Sequence, residues 1–170
     1  GRASVTAASP PWPRQSATDV ATTTRHLEFW IVGLVVGLDQ ATKAMIRSGF
    51  ELGDSVEVIP SLFNITRVHN TGAAFGMLSD VDFPFKAAVL TAAAAAALVG
   101  LAVYAAALPM AQWLTRLGLA CIIGGAAGNV IDRMTIGFVV DFFDFYWRGW
   151  HFWAFNIADA AINVGVALMI

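Results

Sequence analysis

The sequence predicts an all-α membrane protein: four transmembrane helices in a bundle, a small β-sheet region between the first and second, and an aromatic interfacial segment between the third and fourth. Two observations carry this expectation. Hydrophobic residues make up 58% and charged residues 13% of the 170 positions, and the mean hydropathy is +0.67, too apolar for a soluble domain of this size. Four apolar segments recur along the chain, separated by stretches whose composition suits water or the headgroup layer.

Residues 1–27 are rich in Ala, Ser, Thr and Pro and hold no apolar core of signal-peptide type. A disordered tail is expected there, ahead of a single membrane domain over 28–170. The apolar segments run from about Phe29 to Ile46, Phe83 to Leu108, Trp113 to Ile131, and Phe155 to the end. Roughly 20 helical residues cross a hydrocarbon core of about 30 Å. The second segment has that length outright, the first and third come close, and the fourth is shorter. Helices are required because hydrocarbon offers backbone groups no outside partner. Two GxxxG spacings, Gly33 with Gly37 and Gly124 with Gly128, mark close helix approach. Contacts within one bundle are favoured over a dimer, so a monomer is expected.

Residues 50–80 are polar enough to leave the membrane, and Val56, Val58, Phe63 and Ile65 alternate with polar neighbours around Pro60. Residues 142–155 crowd Phe, Tyr and Trp around Asp144, Arg148 and His151, the composition of an element at headgroup depth. Lys and Arg fall on both sides of the expected spans, so charge does not choose an orientation.

Several chemistries are disfavoured at once. A net charge of −2 with scattered Lys and Arg offers nucleic acid no basic field. Cys121 stands alone in an apolar run, and His26, His69 and His151 share no metal-ligand spacing, so neither a disulfide nor a metal site is expected. Helices two to four contain neither Ser nor His, as a serine-type intramembrane protease would require.

Against this apolar background the polar residues stand out, because such side chains in a membrane helix cost several kcal/mol unless paired or turned to a cavity. Asp39 and Lys43 share a face near the end of the first helix, as do Asn129, Asp132 and Arg133 near the end of the third. Asn156, Asp159 and Asn163 form one polar stripe on the fourth. Asp141 precedes the aromatic segment. Antiparallel connectivity brings Asp39, Asn70, Asp132, Arg133, Asp141 and Asp159 toward one side of the bundle. Asp39 with Lys43, and more so Asp132 with Arg133, are also readable as neutralised pairs that hold helices together. Asp141 and Asp159 have no cation at helical spacing and are harder to explain as structure.

DQATK at 39–43, VHNTGAAFG at 68–76, GGAAGNVIDR at 124–133, VVDF at 139–142 and FNIAD at 155–159 together resemble the ordered motifs of the bacterial lipoprotein signal peptidases, signal peptidase II. The resemblance covers about 130 residues. It implies an aspartyl endopeptidase of the bacterial inner membrane, with its site and the 50–80 region on the extracytoplasmic side. Such an enzyme cuts diacylglyceryl-modified prolipoproteins on the amino side of the lipidated cysteine. The family's catalytic pair maps onto Asp141 and Asp159. Its other polar positions map onto Asp39, Lys43, Asn70, Gly72, Asn129, Asp132, Arg133 and Asn156, as residues that shape the site or contact substrate. Two neighbouring carboxylates that share a proton supply both the base that activates water and the acid that assists the carbonyl, with no cofactor. A proton-coupled transporter component is the alternative from another class, but it calls for polar residues spread through the bilayer depth rather than gathered near helix ends.

Overall fold

The computed structural model describes residues 17–72 and 85–170. Expectations for residues 1–16 and 73–84, including the second half of VHNTGAAFG and the start of the second apolar segment, fall outside these residues.

Helix α1 spans Ala17–Gly49, so positions 17–27, expected as disordered tail, belong to a helix. Once the apolar stretch from Phe29 onward nucleates a helix, upstream residues free of Pro and Gly extend it at one hydrogen bond each, which is far cheaper than starting one. After α1 come strands β1 (Ser55–Ile59) and β2 (Phe63–Asn70), then α2 (Lys86–Ala107) and α3 (Trp113–Ile136). Strands β3 (Val139–Trp147) and β4 (Trp150–His151) lead into α4 (Ile157–Met169). Among the described residues, three helical stretches are long and apolar enough to cross a membrane: His26–Gly49, Lys86–Ala107 and Trp113–Ile136. The 13 residues of α4 rise only about 20 Å.

The all-α expectation needs correction. A four-stranded antiparallel sheet in the order β1-β2-β3-β4 accompanies the helices, and the aromatic segment supplies half of it. Asp141, Phe143, Phe145 and Trp147 alternate with Phe142, Asp144 and Tyr146 along β3, a period of two that aromatic density obscures. Arg148 (φ 51°) and Gly149 (φ 80°) turn the chain between β3 and β4, the two left-handed residues that a tight hairpin with right-handed twist requires. Strand β2 pairs with β3 so that Phe63 faces Phe145 and Asn70 faces Val139, with a register shift between Ile65 and Val68. Ile46 of α1 packs with Val140 and Phe142 of β3, and Phe50, Ile65, Ile136 and Ile157 close around them. This apolar layer joins the sheet to the helix ends.

Within the bundle α3 packs on α4 and α1. Gly118 lies against the Gly165 backbone, Gly124 against Val32 and Val35, and Gly125 against Ala158, since only a missing Cβ lets these backbones approach. Gly124 and Gly128 therefore serve contacts inside the bundle, whereas a Cβ at Gly33 or Gly37 would meet nothing within 4 Å. At the opposite end from the gathered polar residues, buried Arg116 donates to Glu28 at 2.6 and 2.7 Å and to the carbonyls of Ala105 and Leu108 at 3.1 and 2.7 Å. It thereby binds the start of α3 to α1 and to the last turn of α2.

Candidate active site

The polar residues singled out from sequence meet where α1, the C-terminal half of α3, the start of β3 and the N-terminus of α4 converge. Lys43 sits at the centre, fully buried. Its Nζ lies 2.8 Å from Asp39 and 3.0 Å from Asp132, and it donates to Asn129 Oδ1 at 2.9 Å. Three donors meet three acceptors, so the buried ammonium is satisfied. Asp132 thus pairs with Lys43 and not with its neighbour Arg133, as expected for residues that point different ways on a helix. The two carboxylates beside Lys43 also hold the backbone. Asp132 Oδ2 accepts from the Val140 amide at 3.1 Å, and Asp39 Oδ1 accepts from the Ala158 amide at 3.0 Å. Val140 and Ala158 immediately precede Asp141 and Asp159, so one lysine-centred cluster sets the backbone that carries both aspartates.

Asp159 is the third residue of α4 and half of a capping box. Its amide donates to Asn156 Oδ1 at 3.0 Å, and its Oδ2 accepts from the Asn156 amide at 3.3 Å. Its Oδ1 accepts from Asn129 at 2.8 Å. Asp141 is 2% exposed and accepts from Asn156 Nδ2 at 2.7 Å and from Asn70 Nδ2 at 3.0 Å. Asn156 therefore touches both carboxyl groups, one through its side chain and the other through its backbone amide. Gly72 donates to Asn70 Oδ1 at 3.0 Å and receives Arg133 Nη2 on its carbonyl at 3.1 Å. The ten residues form one connected hydrogen-bonded network. Asp144 stands apart from it, bonded to Asn64 at 3.1 Å and to His151 at 2.9 Å.

Burial raises the Asp141 carboxyl from its ordinary 3.8 to about 7, and the negative charge of Asp159 adds to the rise. Hydrogen bonds from Asn70 and Asn156 and the charge of Lys43 oppose it. Near neutral pH this carboxyl sits at the balance between its acid and its base, as an acid–base pair requires.

Beside Asp159 opens a cavity of about 800 Å³. Asn70, Asn129 and Arg133 line its polar end, and Ala93, Ala94 and Ala97 of α2 form an apolar wall opposite Ile162. Phe152 and Trp153, just beyond the β3–β4 hairpin, line another side. Sequence reading missed three parts of this site. Gln40 donates to Asp132 at 3.0 Å and to the Gly128 carbonyl at 3.2 Å, and its place inside DQATK was the available signal. Ala92–Ala97 of α2, a run of small residues that suits helix packing, supplies Ala93, Ala94 and Ala97 as a cavity wall. The Arg148-Gly149 dipeptide between aromatic runs was a hairpin signal.

Residues 31–170 match the family model described as signal peptidase (SPase) II. The chain is 47% identical over 142 residues to the lipoprotein signal peptidase of Shewanella halifaxensis, covering 84% of this chain and 82% of that one. It is 46% identical over 140 residues to the lipoprotein signal peptidase of Geobacter metallireducens, covering 81% and 83%. Among solved structures it superposes on a bacterial membrane enzyme determined by the in meso method at 2.3 Å, with a TM-score of 0.73, 36% identity and 85% of each chain covered. A second bacterial membrane enzyme, solved at 1.9 Å, matches with a TM-score of 0.71 and 31% identity over 85% of this chain and 90% of that one.

Proposed function

The chain belongs to the signal peptidase II family, a family of peptidases, and from that membership we propose that it removes the signal peptide from diacylglyceryl-modified prolipoproteins with Asp141 and Asp159 as catalytic dyad. The cut falls on the amino side of the lipidated cysteine, and the site works at the extracytoplasmic face of a bacterial inner membrane. The observation that carries this reading is the bridging of buried Asp141 and half-buried Asp159 by Asn156, with Asp159 lining an apolar cavity.

The chemistry follows from one proton shared by the pair. The ionised carboxylate takes a proton from a water held between the two, and the oxygen adds to the scissile carbonyl. The protonated carboxyl supports the carbonyl oxygen as charge develops there. When the tetrahedral intermediate collapses, a carboxyl proton passes to the leaving amine. The lysine-centred cluster takes no part in bond making. Asp39, Lys43 and Asp132 are positioning residues that fix the backbone ahead of each aspartate, while Arg133 and Asn70 border the space for substrate and Gly72 links them.

Cleavage of a lipidated precursor by purified protein in detergent tests the assignment. Asp141→Asn and Asp159→Asn are expected to fold and to lose at least about a thousandfold in kcat. Asp144→Asn is expected to stay active. Substantial turnover by either of the first two variants rules out the dyad.

A further inference from the structure

One member of the polar stripe on α4 has no place in the dyad network. Asn163 lies one helical turn beyond Asp159, about 6 Å along the axis, and lines the same cavity. Its Nδ2 donates to the Asp159 carbonyl at 3.0 Å, which holds the side chain along the helix. One N–H is used in that bond. The second N–H, and the Oδ1 acceptor, have no partner among the described residues. The same cavity has apolar lining from Ala93, Ala94 and Ala97 of α2 and Ile162 of α4. The side chain is exposed toward this space. This primary amide thus presents a free donor and a free acceptor to the cavity that Asp159 also lines.

The ligand chemistry follows from that pair of groups. Ester oxygens of a lipid only accept and would leave Oδ1 unmatched. A peptide unit offers one N–H and one C=O, the complement of what Asn163 presents. In a helical signal sequence both are already bonded within the helix. They become free where the chain unwinds, as it must for an attacking oxygen to reach a carbonyl, and non-helical backbone at membrane depth survives only where a protein cavity supplies its hydrogen bonds.

We propose that Asn163 is a specificity-determining residue that hydrogen-bonds the unwound backbone of the substrate's signal peptide through its free N–H and Oδ1, one turn from Asp159. The proposal rests on the peptidase reading above. It makes the enzyme select substrates able to unwind near the cleavage site, independently of side chains there.

The test compares wild type, Asn163→Leu and Asn163→Gln on a lipidated precursor peptide, and on a series in which single backbone amides ahead of the lipidated cysteine are N-methylated. Asn163→Leu should raise KM roughly tenfold, as expected for two hydrogen bonds, with kcat within about twofold and a thermal midpoint equal to or above wild type. Asn163→Gln should recover part of the KM. At one position, N-methylation should raise KM for wild type and leave Asn163→Leu unmoved. An unchanged KM in Asn163→Leu overturns the proposal, as does an equal penalty from every N-methyl group in both proteins. A lower thermal midpoint with KM unmoved assigns Asn163 to helix structure instead and also overturns it. Failure of the wild type to cut the parent precursor at all would refute the peptidase reading, a separate outcome.

Discussion

Asp141 reaches its balanced acidity through burial against the charge of Asp159, and that has two consequences with definite signs. An acid whose folded pKa is raised stays neutral below it, so kcat/KM should fall as pH rises through about 7, where the pair loses its shared proton. The folded chain also keeps a proton that the unfolded chain releases between 3.8 and about 7. This contribution to stability is therefore full below 3.8 and is lost as pH climbs to about 7. Thermal midpoints in detergent across that window should decline with pH for wild type and decline less for Asp141→Asn. Lys43 carries the second residue-scale prediction. Replaced by Met, it leaves Asp39 and Asp132 buried without a cation, at a cost of about 3–5 kcal/mol. Adding Asp132→Asn to Lys43→Met should recover part of the lost thermal midpoint, because one of the stranded charges is then removed.

At the scale of elements, the placement of Asp159 depends on how closely α4 approaches α3. Gly125 lies against the Ala158 carbonyl and Ile162, so Gly125→Val must push α4 away and with it the capping box. Overpacking of this kind costs about 1–3 kcal/mol, and here a drop in kcat beyond the loss of stability is expected, measured as activity at a temperature where the variant remains folded. Gly124 and Gly128 of α3 were legible as a packing signal, but which helix each one met was not. The sheet was half legible. Alternation marked β1 and β2, whereas β3 read as an interfacial anchor because its aromatics sit on both faces. Its identity as a strand depends on pairing with β2, in which Asn70 faces Val139, a partner 69 positions away that local patterning cannot reveal.

At the scale of the whole molecule, the bundle separates the end that holds Asp141 and Asp159 from a clasped end. Arg116 and Glu28 close the end away from the dyad, so Glu28→Gln should lower the thermal midpoint, by up to about 3 kcal/mol of stability, while kcat stays near wild type. A large loss of kcat in a folded Glu28→Gln protein would show that the clasp reaches Asp141 and Asp159. Composition and apolar length alone determined that the chain spans a membrane, because transfer into hydrocarbon depends on the residues themselves. The same reasoning drew attention to the polar residues, since the cost of each is set by its depth and charge. Tertiary structure decided what those residues do for one another. It matched Lys43 with Asp132, made Asn156 the bridge between two aspartates, and opened the space between α2 and α4. Each of these depends on distances between segments remote in sequence, where a shift of one turn or one register would exchange every partner.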